Sequence, residues 1–108
     1  MTTVRLNQRD ADAICSTIQT GHKFVASALT GYRESNFGVP HLANRYIIKS
    51  YDEVIAVINL DDETAIFTTK KFSQTTTRHQ GAVNAVLECL GVAATATDKR
   101  LDPYGGEW

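Results

Sequence analysis

The run Lys70–Gln80, KKFSQTTTRHQ, gathers the densest set of chemistry-bearing side chains in this sequence. It holds Lys70, Lys71, Arg78 and His79 beside the hydroxyls of Ser73, Thr75 and Thr76. Hydroxyls and cations at the start of a helix are the ingredients of an anion or phosphate cradle. The first amides of a helix lack partners, and the helix dipole is positive at that end. The plainer reading of the same residues is a capped helix behind a polar loop, since nothing here has the glycine spacing of a phosphate-binding loop. Ser73 or Thr75 beside His79 could be drawn as a nucleophile and its base. A third group to orient the histidine and an oxyanion loop are not legible, so the expectation is a protein that is not an enzyme.

Other reactive groups are sparse. His22, His41 and His79 are scattered, and Cys15 and Cys89 lack the close spacing of a zinc site, so no metal or cofactor is expected. The two cysteines fall on the apolar faces of expected helices and read as buried, reduced thiols. The acids Asp52-Glu53 and Asp61-Asp62-Glu63 sit in expected turns, where solvation is the ordinary explanation. A net charge of −1 supplies no bulk attraction to nucleic acid or to an acidic membrane.

The elements that must position these groups follow from spacing. Ala11, Ile14, Cys15 and Ile18 form one apolar stripe, which predicts a helix over 8–20 with Asn7 as N-cap and Gly21 as its end. Lys23–Leu29 is a strand candidate, and Thr30–Asn44 reads as a long loop. Arg45–Ser50, Val54–Leu60 and Thr64–Thr69 predict an antiparallel meander with short turns. Thr77 and Gln80 match a capping box, with Val83, Val86, Leu87 and Leu90 as the apolar face behind it and Gly91 as the stop. The expected fold is therefore α+β, a three- or four-stranded antiparallel sheet with two helices packed on one face. Residues 1–91 form one domain, and 92–108, which shows no period, reads as a loosely held C-terminal tail. The longest apolar run, Val54–Ile58, is far too short to span a membrane, and no secretory signal is legible at the N-terminus.

That same run does not alternate with polar residues, so both of its faces should be covered. The helices can cover one face. The other needs the Thr30–Asn44 loop, the tail or a second molecule; in the loop Tyr32, Phe37, Val39 and Leu42 offer thin cover, which predicts a homodimer in which sheet faces or edges meet, with Ile55 or Val57 at the contact.

Three segments in order carry a resemblance. Arg45-Tyr46-x-Ile48-x-Ser50-Tyr51 is followed by Val54-Ile55-Ala56, then by Phe72-Ser73-x-Thr75-Thr76-x-Arg78-His79-Gln80-x-x-Val83. This order resembles a group of small phage and mobile-element proteins that carry a [YF]-S-x-T-T-x-[KR]-H-Q sequence at the start of the last helix. The chain departs from that pattern by a third threonine, Thr77. The resemblance implies a phage accessory or counter-defence factor, a class that includes anti-CRISPR proteins, which are compact and act by binding. The implied partner is a host defence protein or complex in the host cell cytoplasm. The alternative is a nucleic-acid or nucleotide-phosphate binder using the helix start at 75–80.

Overall fold

A computed structural model describes residues 3–34 and 44–103. Within them the chain runs β1 (Thr3–Arg5), α1 (Ala11–Gln19), β2 (Lys23–Ala26), β3 (Leu29–Glu34), β4 (Arg45–Ser50), β5 (Glu53–Asn59), β6 (Thr64–Thr68), α2 (Gln74–Leu90) and β7 (Ala93–Thr97). The strands make one seven-stranded sheet in sequence order. Its centre, β2 to β6, is antiparallel, whereas β1 pairs with β2 and β6 with β7 in parallel. The expected three- or four-stranded antiparallel sheet is thus corrected to a seven-stranded mixed one, still α+β.

The topology explains why both helices share a face. Every step from β2 to β6 reverses direction, an even number of reversals, so β6 runs with β2. The crossovers β1–α1–β2 and β6–α2–β7 therefore step the same way across the sheet. The strong preference for right-handed crossovers then sends both helices to one side. The two helices pack against each other there.

Local chemistry sets the boundaries. Asp10, not Asn7, caps α1, its carboxylate accepting the Ala13 amide at 3.1 Å. Asn7 instead folds a turn, taking the Arg9 amide on its side chain and the Asp10 amide on its carbonyl. Residues 30–34 of the expected loop form β3, which needs β4 as its template, and the rest of that loop lies outside the described residues. Gly31 lies between the rings of Phe24 and Tyr46, which stack nearly parallel at 6.3 Å across β3.

The run Val54–Ile58 is explained by a β-bulge. Ile48 pairs with Ala56 but Lys49 with Val54, so Ile55 is an extra residue in β5. A bulge lets two successive side chains leave the same face. Ile55 and Ala56 both enter the core under the helices, with Ile14, Ile18, Val83 and Val86. Val54 and Val57 point to the other face, where they pack with Ile47 and Leu101. Ile55 is 1% exposed and Val57 5%.

The segment read as a loose tail contributes both β7 and that second cover. Beyond β7, the Thr68 hydroxyl donates to the Lys99 carbonyl at 2.6 Å, and Arg100 forms a two-pronged ion pair with Glu53. The buried Arg45 donates to the Pro103 carbonyl at 3.2 Å. Tyr104 and Trp108, together with Phe37, Val39 and Leu42, lie outside the described residues. Among the described residues, no helix is long and apolar enough to cross a membrane.

Candidate functional site

The start of α2 lies four residues earlier than a Thr77 cap requires. Ser73, in extended conformation at φ −152°, is the N-cap, and its hydroxyl accepts the Thr76 amide at 3.1 Å. The triple threonine is therefore the first turn of the helix. Thr77 returns its hydroxyl to the Ser73 carbonyl. Gln80 does not close a capping box: its amide donates to the carbonyls of Thr68 and Lys70, both at 2.9 Å, and so pins the connection from β6.

Behind this turn lies a hydrogen-bonded chain of polar groups. His79 Nδ1 is 2.6 Å from Ser50 Oγ, and its Nε2 is 2.8 Å from Gln8 Oε1. Ser50 Oγ meets Thr76 Oγ1 at 3.0 Å, and Ser73 donates to the same threonine oxygen at 3.1 Å. One proton arrangement satisfies every member. A Gln carbonyl only accepts, so Nε2 must donate to it, and Nδ1 then accepts from Ser50. Ser50 in turn accepts from Thr76, and Thr76 from Ser73, which already accepts the Thr76 amide. Burial pushes the His79 pKa below its ordinary value, in keeping with a neutral ring.

The arrangement looks superficially like a nucleophile, a base and an orienting group. Its environment is wrong for catalysis. Ser50 has no exposed surface and His79 only 1%, so a substrate has no access to the hydroxyl. Gln8 carries no charge with which to stabilise an imidazolium. What the chain of bonds does is tie the end of β4, the first turns of α2 and the 7–10 turn together. Because partly satisfied buried polar groups are costly, full satisfaction makes this junction specific.

The groups expected to form one cradle are thus divided by burial. Thr76 and His79 are inside and Thr75 is half-buried, whereas Lys70, Lys71, Ser73 and Arg78 are exposed. Two shallow grooves meet at Arg78. One, about 570 Å³, is lined by Lys71, Phe72, Ser73, Gln74, Thr77 and Arg78. The other, about 430 Å³, runs between the start of α1 and α2, with Arg9 and Arg78 over Ala11, Ala82 and Ala85 and the Gln8–His79 bond at its base. Arg45 pairs with Glu34 and Arg100 with Glu53, whereas Arg9, Lys70, Lys71 and Arg78 have no acidic partner among the described residues.

Tyr51 lies against His79, which lines the second groove. Its ring centroid lies 6.3 Å from that of His79, and it is the exposed large hydrophobic side chain among the described residues, at 59%. Its backbone is left-handed, φ 55°, held by a hydrogen bond from its amide to the Ala28 carbonyl. A bulky residue rarely adopts that conformation. Gln8, Arg9, Ser50 and Tyr51 are the members that reasoning from spacing missed. Ser50 and Tyr51 stood in the resemblance motif, but only the fold brings them to α2. Ile55 and Val57, expected at a dimer contact, lie instead within the two cores.

The expected pair of buried thiols is also divided. Cys15 is buried, and its pKa is pushed up to about 12 by desolvation first and then by the neighbouring Cys89 and Asp12. Cys89 is exposed, 3.8 Å from the Asp12 carboxylate. Among the described residues no three His, Cys, Asp or Glu converge as a metal site would require.

A family model matches residues 10–100. The chain belongs to DUF8033, a family of unknown function. The DUF8033 match runs from the cap of α1 to Arg100, the partner of Glu53, so β7 lies within the family's unit rather than in a tail. No curated protein and no solved structure matches the chain.

Proposed function

We propose that this protein acts by binding a protein partner, without catalysis, through the surface around Tyr51, Lys71, Arg78 and Arg9. The observation that carries this reading is Tyr51. A large aromatic side chain is held in water by a strained backbone and lies against His79, which lines the groove that Arg9 and Arg78 flank. Tyr and Arg are the residues that most often dominate the binding energy of protein interfaces. Cations lacking acidic partners suit an acidic segment of the partner.

The resemblance to small phage proteins frames that partner as a component of a host defence system, met in the host cytoplasm, with the protein acting as an inhibitor of the anti-CRISPR kind. The test is phage plaquing on a host carrying such a system. Expression of the wild type should restore plaquing. A Tyr51→Ala, Lys71→Ala, Arg78→Ala variant with an unchanged thermal melt should not. Full restoration by that variant would remove this surface from consideration.

A second reading rests on the same cations. Lys70, Lys71 and Arg78 beside a helix start, with an aromatic ring nearby, also suit a nucleic-acid strand or a nucleotide phosphate. Its mark would be a DNA or RNA shift whose affinity falls steeply with added salt. The acids Asp52 and Glu53 next to Tyr51, and the net charge of −1, favour the protein partner.

A further inference from the structure

Among the described residues β7 is an edge strand of the sheet, and its outer side carries a different inference. Ala93 donates its amide to the Glu63 carbonyl, and the Thr97 carbonyl accepts the Thr69 amide. Backbone groups alternate sides along a strand. Residues 93, 95 and 97 therefore spend their amides and carbonyls on β6, and Ala94 and Ala96 aim theirs outward from the sheet. Ala93–Ala96 are exposed, and β7 contains no charge, proline or glycine. Such an edge is a template for another strand. The opposite edge is blunter: β1 is short and ends on Arg5.

We propose that β7 pairs antiparallel with β7 of a second copy about a twofold axis at Thr95, joining two sheets into one. The register follows from the outward groups. With Thr95 opposite its own copy, Ala94 faces Ala96 of the partner subunit, and each of these pairs exchanges two hydrogen bonds. Thr95 then forms the close pair that makes no backbone bonds, where two threonines suit each other.

The identity of the occupant follows from charge. A twofold contact sets the axial residue against itself and its neighbours against one another, so a strand with a charge at the axis would oppose like with like. β7 presents only alanine and threonine. The axis stands perpendicular to the sheet, so both copies keep their helices on one face. There a groove of about 290 Å³ lies between α2 and β7, floored by Phe67 and Ala94, on the face that the two copies would share.

Sedimentation of the full chain at high micromolar concentration tests this. The wild type should show twice the monomer mass. Thr95→Lys and Thr95→Glu should each halve that mass with unchanged circular dichroism, because like charges then meet on the axis. A mixture of the two variants should restore it. A monomeric wild type overturns the proposal and leaves the edge to a strand of another protein or to solvent. A dimer unaffected by Thr95→Lys overturns it as well, since the copies would then meet elsewhere. These outcomes are independent of the Tyr51 surface, whose variants leave β7 untouched.

Discussion

Ser50 Oγ stands 2.6 Å from His79 Nδ1 and joins the last residue of β4 to the second turn of α2. With Ser50 as the donor, Nδ1 accepts only when the ring is neutral, so the contribution of this arrangement depends on pH. Burial lowers the folded pKa of His79 below its ordinary 6.5, and the unfolded chain therefore takes up a proton first as pH falls. Stability from this group is full above about 6.5. It declines as pH drops from there toward the folded pKa, then levels off. Denaturant midpoints measured from pH 8 to pH 5 should fall over that window, and His79→Gln should flatten the slope. An unchanged slope in the variant would assign the effect to other groups.

Removing the true cap should be visible in a melt. Ser73→Ala loses the acceptor of the Thr76 amide and one member of the buried chain, and should destabilise the protein by about 1–2 kcal/mol. Thr77→Ala removes only an exposed hydroxyl bonded within the helix and should change stability by less than about 0.5 kcal/mol. Equal effects would place the helix start elsewhere.

Gly31 is required by its neighbours. A Cβ there would lie 2.7 Å from Tyr46 Cε1 and closer still to the Phe24 ring, both in the core. Gly31→Ala should therefore cost about 1–3 kcal/mol, the ordinary range for overpacking, measured by chemical denaturation. A stable variant would mean that the Phe24–Tyr46 stack moves freely.

Tyr51 separates stability from function. Its left-handed backbone costs about 1–2 kcal/mol for a residue with a side chain, a strain that glycine does not feel. Tyr51→Gly should melt at the wild-type temperature or a few degrees above it, yet lose the plaquing activity proposed for the wild type. A variant that melts well below wild type would show that the ring serves the fold through His79.

Much of the fold was legible because its signals are local. β4, β5 and β6 came out within a residue or two, since β-branched runs and turns of two and four residues specify a meander without help from distant residues. The stripe on α1 and the left-handed Gly91 at the end of α2 were equally local. Boundaries failed where several residues compete for one role. Asn7 and Asp10 can both cap, as can Ser73 and Thr77, and the choice depends on where the chain enters from the preceding strand.

The site was legible in kind but not in membership. Lys71, Ser73 and Arg78 do gather at the start of α2, as their clustering suggested. Nothing in the spacing says that His79 turns inward to Ser50 and Gln8, because those partners lie far away in the chain.

By itself, then, the sequence determined the meander, two amphipathic helices and the polar character of the α2 start, all set by neighbours a few positions apart. Only the tertiary structure decided that β1 and β7 are strands, that Ile55 bulges beneath the helices, and that one histidine is buried while Tyr51 is held in solvent. Short strands of small or mixed residues have no periodic signature, and they become strands when a distant partner offers free backbone groups. Burial of a polar side chain is likewise a property of its surroundings, fixed by whether remote groups complete its hydrogen bonds.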